Sequence, residues 1–261
     1  MTDWKPNLYL AFEKERTQPS IDLVARIEHE TLVRIIDIGC GPGNSTNVLR
    51  ARWPHAEVVG LDSSQAMIEK AQATYPDMNW LCADATGDLS AFGKFDIVFS
   101  NATIQWIPNQ EKLLANLFSL LQPGGVLAVQ VPNTSNMPIN VELRKLAAAA
   151  KWETHFAALS STYSAHDEHF YYDILSSLTD SFDIWVTNYC HVMSSHAEIV
   201  KWYSGSGLRP YLDCFDDESV RSEFLQAYEQ QLRQYYHAQK DGKILFPFTR
   251  IFFIAKKGQT P

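Results

Sequence analysis

One segment, Ile35-Ile36-Asp37-Ile38-Gly39-Cys40-Gly41-Pro42-Gly43-Asn44-Ser45-Thr46, constrains the fold most. An apolar run of strand length passes directly into closely spaced glycines and then into a helix, and residues that small let a ligand approach the backbone. A glycine turn of the Gly-x-Gly-x-x-Gly kind cradles pyrophosphate at a helix N-terminus in dinucleotide enzymes. Here the third glycine is absent at that spacing, Pro42 follows the second, and Asp37 lies just before the turn. A carboxylate beside the crevice repels pyrophosphate but can pair with a cationic amine, which disfavours a nicotinamide-dependent oxidoreductase.

The turn sits in an alternation of strand-like and helical runs. Leu32 to Ile38, Val58 to Leu61, Trp80 to Cys82, Phe95 to Phe99 and Val126 to Val131 read as strands. Val48 to Trp53, Ala66 to Ala73 and Glu111 to Leu121 read as helices, with Gln122-Pro123-Gly124-Gly125 as a turn. This is the signature of βα units around a parallel sheet. Beyond Pro132 the pattern changes. Val141 to Phe156, Ala197 to Tyr203 and Glu218 to Tyr236 have helical spacing, and Asp183 to Met193 and Arg250 to Lys256 read as strands. The expected organisation is an N-terminal helical lid over residues 1–30, a ligand-binding core over 31–132, and a helical cap over 133–261 interleaved with the last strands.

Composition narrows the function. A chain of 261 residues, 46% hydrophobic and 20% charged, can bury a substantial core. Its net charge of -8 argues against a nucleic-acid partner, which needs clustered cations. No leader pattern or bilayer-length apolar run is present, so no membrane partner and a cytoplasmic location are expected. Cys40, Cys82, Cys190 and Cys214 are too dispersed to spell a local metal or redox motif, so free thiols and no metal are expected. Oligomeric state is left open.

Two further acids follow strands at matching positions. Asp62 ends Val58-Val59-Gly60-Leu61, a little over twenty residues beyond the glycines, where Rossmann-like folds place the acceptor for ribose hydroxyls. The other reading of Asp62 is the N-cap of the next helix, a role Ser63 or Ser64 can fill instead. Asp84 follows Leu81-Cys82-Ala83 and can accept from an adenine amine while the Ala85 N–H meets a ring nitrogen. Acids at the carboxyl ends of successive strands converge on the crevice where open parallel sheets bind ligands.

The glycine turn, Asp62, Asp84 and the strand Phe95-Asp96-Ile97-Val98-Phe99-Ser100-Asn101 together resemble class I S-adenosylmethionine-dependent methyltransferases. The resemblance implies an α/β, Rossmann-like, seven-stranded, mostly parallel sheet with helices on both faces and an antiparallel last strand. It also implies S-adenosyl-L-methionine as cofactor, held by Asp37, Gly39, Gly41, Asp62, Ser63, Asp84, Ala85 and Asn101. The flanks are similar to the trans-aconitate methyltransferase family over nearly the whole chain. The matching segments are Asp3-Trp4-Lys5-Pro6 with Tyr9, Phe12, Glu15-Arg16 and Pro19; Ala102 to Pro108; Tyr171 to Leu175; Asp183-Ile184-Trp185; Tyr189 with His191; Gly207 to Pro210; and Phe248 to Ala255 around Arg250. Ala148-Ala149-Ala150 departs from that pattern.

The acceptor implied is a small polycarboxylate such as trans-aconitate. A carboxylate is ionised near neutral pH, so its methylation needs alignment rather than a general base, and no catalytic acid or base is expected. Binding it demands guanidinium forks with hydroxyl or indole donors. The expected acceptor residues are Arg209, Arg250, Arg16, Tyr9, Gln105, Trp106, Tyr172 and His191. Two other readings compete. Methylation of a carrier-bound malonyl group requires a basic docking face, for which there is no strong basic run, and a non-catalytic cofactor-binding module requires no open acceptor pocket.

Overall fold

The computed structural model describes residues 12–29, 34–159, 163–164 and 166–259. Seven strands, β1 (Arg34–Ile38), β2 (Glu57–Asp62), β3 (Asn79–Cys82), β4 (Phe95–Asn101), β5 (Leu121–Pro132), β6 (Phe182–Met193) and β7 (Ile244–Lys256), form one sheet in the order β3-β2-β1-β4-β5-β7-β6. Strands β1 to β5 pair in parallel; β7 runs antiparallel to both β5 and β6. The order reverses between β2 and β4 around β1, which leaves a crevice at the carboxyl end of β1, where the glycine turn lies.

Both sheet faces are covered, so the central strands are apolar at successive positions. Ile36, Val98, Leu127, Val129 and Phe253 pack beneath helices α4 (Gln110–Ser119) and α6 (Glu168–Leu178), which contribute Leu114, Leu117, Tyr171 and Leu175. Their neighbours Ile35, Ile97, Phe99, Ala128 and Phe252 face the other way, against Leu23 and Val24 of α1 (Glu13–Ala25) and Leu49 of α2 (Asn44–Arg52). The period of two along each strand sorts these side chains to the two sides. Helix α3 (Gln65–Thr74) completes the βα series, with the Ser64 side chain accepting from the Met67 N–H as its N-cap.

A third core belongs to the cap. Helices α5 (Pro138–Ala147), α7 (His196–Ser204), α8 (Arg209–Leu212) and α9 (Glu218–Leu232) bury Leu143, Trp202, Leu212, Phe224 and Tyr228 around Phe246 and Phe248, both from the first half of β7. One strand therefore belongs to both the sheet and the cap core. No helix among the described residues is long and apolar enough to cross a membrane.

Several sequence expectations shift. Strand β7 starts at Ile244 rather than Arg250. Of the named strands its early half pairs with β6 alone, apart from an isolated bridge between Ile244 and Ala238, because the pairing with β5 begins at Arg250 opposite Pro132; Pro247 thus lies where no β5 partner needs its missing N–H. Gln122 to Gly125 forms an irregularity inside β5 rather than a separate turn: the register jumps between Phe95 and Ile97, and Gly124 adopts φ +78°. The helix expected over 141–156 stops at Ala147 and resumes as a 3₁₀ turn, Glu153–Phe156. Helix α6 was not expected, although Phe170, Tyr171, Ile174, Leu175 and Leu178 have helical spacing behind the N-cap Asp167.

Candidate functional site

The glycine turn bends through left-handed backbone at Gly39 (φ +72°), Gly41 (φ +55°) and Gly43 (φ +96°). The reasons differ. A Cβ on Gly39 would lie 2.1 Å from a Thr103 methyl, so that glycine is required by packing, whereas a Cβ on Gly41 would meet nothing within 4 Å and would project into open space. The N–H groups of Gly39 and Cys40 both donate to the Leu61 carbonyl, at 2.7 and 3.0 Å, pinning the turn to β2. Asp62 reinforces the pin by accepting from the Gly41 N–H (2.9 Å) and from the Ser64 N–H (2.8 Å). That carboxylate stands at the end of β2 on the cavity wall. Asp84 accepts from the Thr86 N–H at 2.8 Å, which fixes the turn after β3 beside Ala85.

These groups line one end of a cavity of about 450 Å³. Gly39, Cys40, Gly41, Asp62, Ser63, Asp84, Ala85 and Asn101 form that wall. The Asn101 Oδ1 is buried with no hydrogen-bond partner among the described residues, an acceptor suited to an ammonium donor. Open space over Gly41, acids at the ends of β2 and β3, and this unmatched carbonyl fit an adenosyl amino-acid cofactor. Burial drives the Cys40 thiol pKa well up, aided by Asp37 and Asp62, so it stays protonated and non-nucleophilic.

The other end of the same cavity is formed by α1, the loop after β4 and the cap. Arg16 of α1 is 7% exposed; it donates to the Trp202 carbonyl at 2.9 Å, with its guanidinium carbon 5.3 Å from that indole's centre. Arg250 of β7 is 4% exposed; it donates to the Gln130 Oε1 at 3.1 Å and lies 4.9 Å from the Phe248 ring centre. Gln105, Trp106, Thr134, Tyr163, Trp202, Tyr203 and Phe248 complete this wall. Trp106 and Tyr163 meet edge to face at 4.9 Å, and the Tyr163 and Thr134 hydroxyls share a 2.7 Å hydrogen bond. Burial pushes the Tyr163 phenol up to about 12, so it is a protonated donor near neutral pH.

Comparison with known proteins identifies the family and the fold. Residues 35–125 match the methyltransferase domain family. The trans-aconitate 2-methyltransferases of Escherichia coli and Escherichia fergusonii are 42% identical to the chain over 257 residues, covering 98% of it and 99% of each relative. The chain belongs to the trans-aconitate 2-methyltransferase family. The fold of this methyltransferase is shared by the YcgJ protein from Bacillus subtilis (TM-score 0.62, 14% identity, covering 93% of this chain and 100% of that one). It is shared too by the plantazolicin methyltransferase BpumL solved with SAH (TM-score 0.51, 17% identity, covering 97% and 85%).

In this methyltransferase, four residues expected at the site stand elsewhere. Asp37 is fully buried behind the turn, where its Oδ2 accepts from Ser45 (2.6 Å) and Thr46 (2.7 Å) at the start of α2; burial raises its pKa to about 6. It braces the turn from beneath rather than lining the cavity. Arg209 faces Asp213, 3.5 Å away on the same helical stretch, and is not on the cavity wall. Tyr172 is 52% exposed and packs on Phe182 at 5.5 Å, because α6 turns Tyr171 inward instead. His191 sits one layer behind the wall, its ring 5.7 Å from Trp202 and 6.4 Å from Phe248. Tyr9 lies outside the described residues. Thr134, Tyr163 and Tyr203 were missed; Tyr163 lies in an irregular segment with no periodicity to flag it.

Proposed function

We propose that this methyltransferase is a carboxyl O-methyltransferase that uses S-adenosyl-L-methionine to convert trans-aconitate into its monomethyl ester. One observation carries the reading: two buried guanidinium groups, Arg16 and Arg250, line the same cavity as the acid-tipped strand ends. Such a cavity suits an adenosyl cofactor at one end and a polyanion at the other. The name of the 42%-identical relatives supports the same acceptor.

The cofactor supplies an electrophilic methyl group on a sulfonium. Asp62 would hold the ribose, Asp84 and Ala85 the adenine edge, and Asn101 the amino group. An acceptor carboxylate is already ionised near neutral pH, so the residues of this site would have no proton to move. The side chains therefore work by placement. Arg16 and Arg250 bind carboxylates that do not react, the Tyr163 hydroxyl and Trp106 bound the acceptor, and the closely packed aromatic wall excludes water that would otherwise solvate the nucleophile. A soluble anionic metabolite as acceptor is consistent with cytoplasmic action.

Incubation with methyl-labelled cofactor and a panel of di- and tricarboxylates tests the reading. Preferential esterification of trans-aconitate is expected. Labelling of a carrier-bound malonyl group with no labelling of any free polycarboxylate would replace it.

A further inference from the structure

Gln130 is fully buried on β5, outside the cavity wall, yet its Oε1 accepts the 3.1 Å hydrogen bond from Arg250. The orientation of this amide is dictated by chemistry. A guanidinium only donates, so the carbonyl must face it, and the Nε2 is left buried with no partner among the described residues. A buried unmatched donor is costly, and a glutamate of the same size would avoid that cost while forming a charged pair with Arg250. It would also neutralise the guanidinium. The contrast with Arg209, which faces the carboxylate of Asp213 and stands off the cavity wall, shows the alternative arrangement within the same molecule.

The position of Gln130 suits a residue that serves the site indirectly. Its register partner on β4 is Asn101, at the cofactor end, and on β7 it is Phe252, two residues from Arg250. It lies on rigid central sheet, so the anchor it gives Arg250 is fixed by backbone pairing rather than by a loop.

We infer that Gln130 is a positioning residue that sets acceptor specificity: it orients the Arg250 guanidinium through a neutral carbonyl, so that the contact from β5 adds no negative charge where an acceptor carboxylate has to bind. This inference rests on the polycarboxylate reading above. A carboxylate in its place would offset the guanidinium charge and weaken the hold on an acceptor anion.

The test is steady-state kinetics on trans-aconitate with Gln130→Glu, alongside calorimetric titration of S-adenosylhomocysteine. The acceptor KM should rise on the order of ten- to a hundredfold, the range lost with one charge-assisted contact, while S-adenosylhomocysteine affinity stays within about twofold. A wild-type KM in the glutamate variant overturns the inference. So does a parallel loss of S-adenosylhomocysteine affinity, which would mark Gln130 as a general support of the sheet. Gln130→Met carries the test if the glutamate variant does not fold. It removes the anchor but not the charge, so kcat should fall along with a smaller rise in KM, and unchanged kinetics would be equally fatal. The function reading fails separately, on wild type alone: protein that neither esterifies nor binds trans-aconitate, with S-adenosylhomocysteine still bound, sinks both.

Discussion

Asp62 ties the Gly41 and Ser64 amides together at the end of β2, which fixes its carboxylate in the orientation that the proposed ribose contact would use. Asp62→Ala should weaken cofactor binding by about 1.5–3 kcal/mol, the worth of charge-assisted hydrogen bonds, and calorimetry on folded variant showing wild-type affinity would remove it from the site. The two arginines separate by environment. Arg250→Lys keeps charge but loses the fork that reaches Gln130 and a carboxylate together, and a misplacement of about 1 Å can cost about a hundredfold in turnover. Arg209, off the cavity wall and 3.5 Å from Asp213, should tolerate lysine with a smaller loss of kcat/KM on trans-aconitate; equal losses in the two variants would contradict this division. His191 has its pKa held down from 6.5 to about 4, first by burial and then by the charges of Arg250 and Arg16. The folded state thus favours neutral imidazole. Its contribution is present above pH 6.5 and is lost as pH falls toward 4, about 3 kcal/mol in all, so melting temperature should drop less steeply over that window in His191→Phe than in wild type. Asp62 was legible because a strand-end acid at that spacing has one geometry. Arg209 was not, because cap packing decides which way a four-residue helix turns its side chains.

At the level of elements, α1 is poorly equipped to stand alone. It has no side-chain N-cap and carries Pro19 in its interior, which removes a helix hydrogen bond. Its order depends on docking, through Leu23 and Val24 on the sheet, Arg16 on the Trp202 carbonyl, and a 2.5 Å hydrogen bond from the Tyr189 hydroxyl to Asp22. Tyr189→Phe should loosen the helix and, with it, Arg16. Faster amide exchange across residues 16–25 and a raised acceptor KM are expected, with cofactor affinity retained; exchange at the wild-type rate would show that the hydrogen bond does not hold the lid. The parallel strands were readable from their apolar runs and bounding turns. Helix α6 was harder, since Phe170, Tyr171 and Tyr172 also suit strands, and only tertiary contact with α4, including the Tyr171 hydroxyl on Gln110 (2.7 Å), settles it. The early half of β7 was hidden by Pro247, which forbids a central strand but not one with an unpartnered side.

For the whole molecule, the sheet and the cap meet around one cavity, with the proposed cofactor groups drawn from the ends of β1 to β4 and the proposed acceptor groups from α1, β7 and the cap. The first set is contiguous in sequence and announced itself as a motif; the second is scattered from Arg16 to Arg250 and becomes a site only through long-range packing. The order of the sheet carries one more consequence. Strand β7, last of the seven in sequence, lies between β5 and β6, and among the described residues β6 has no other sheet neighbour. During synthesis the chain emerges with β1 to β5 able to pair while β6 waits without a ladder, its backbone groups open to any passing edge. The segment that finally fills the gap also delivers Arg250. The nascent protein can therefore assemble its glycine turn and strand-end acids well before it has anywhere to seat an acceptor.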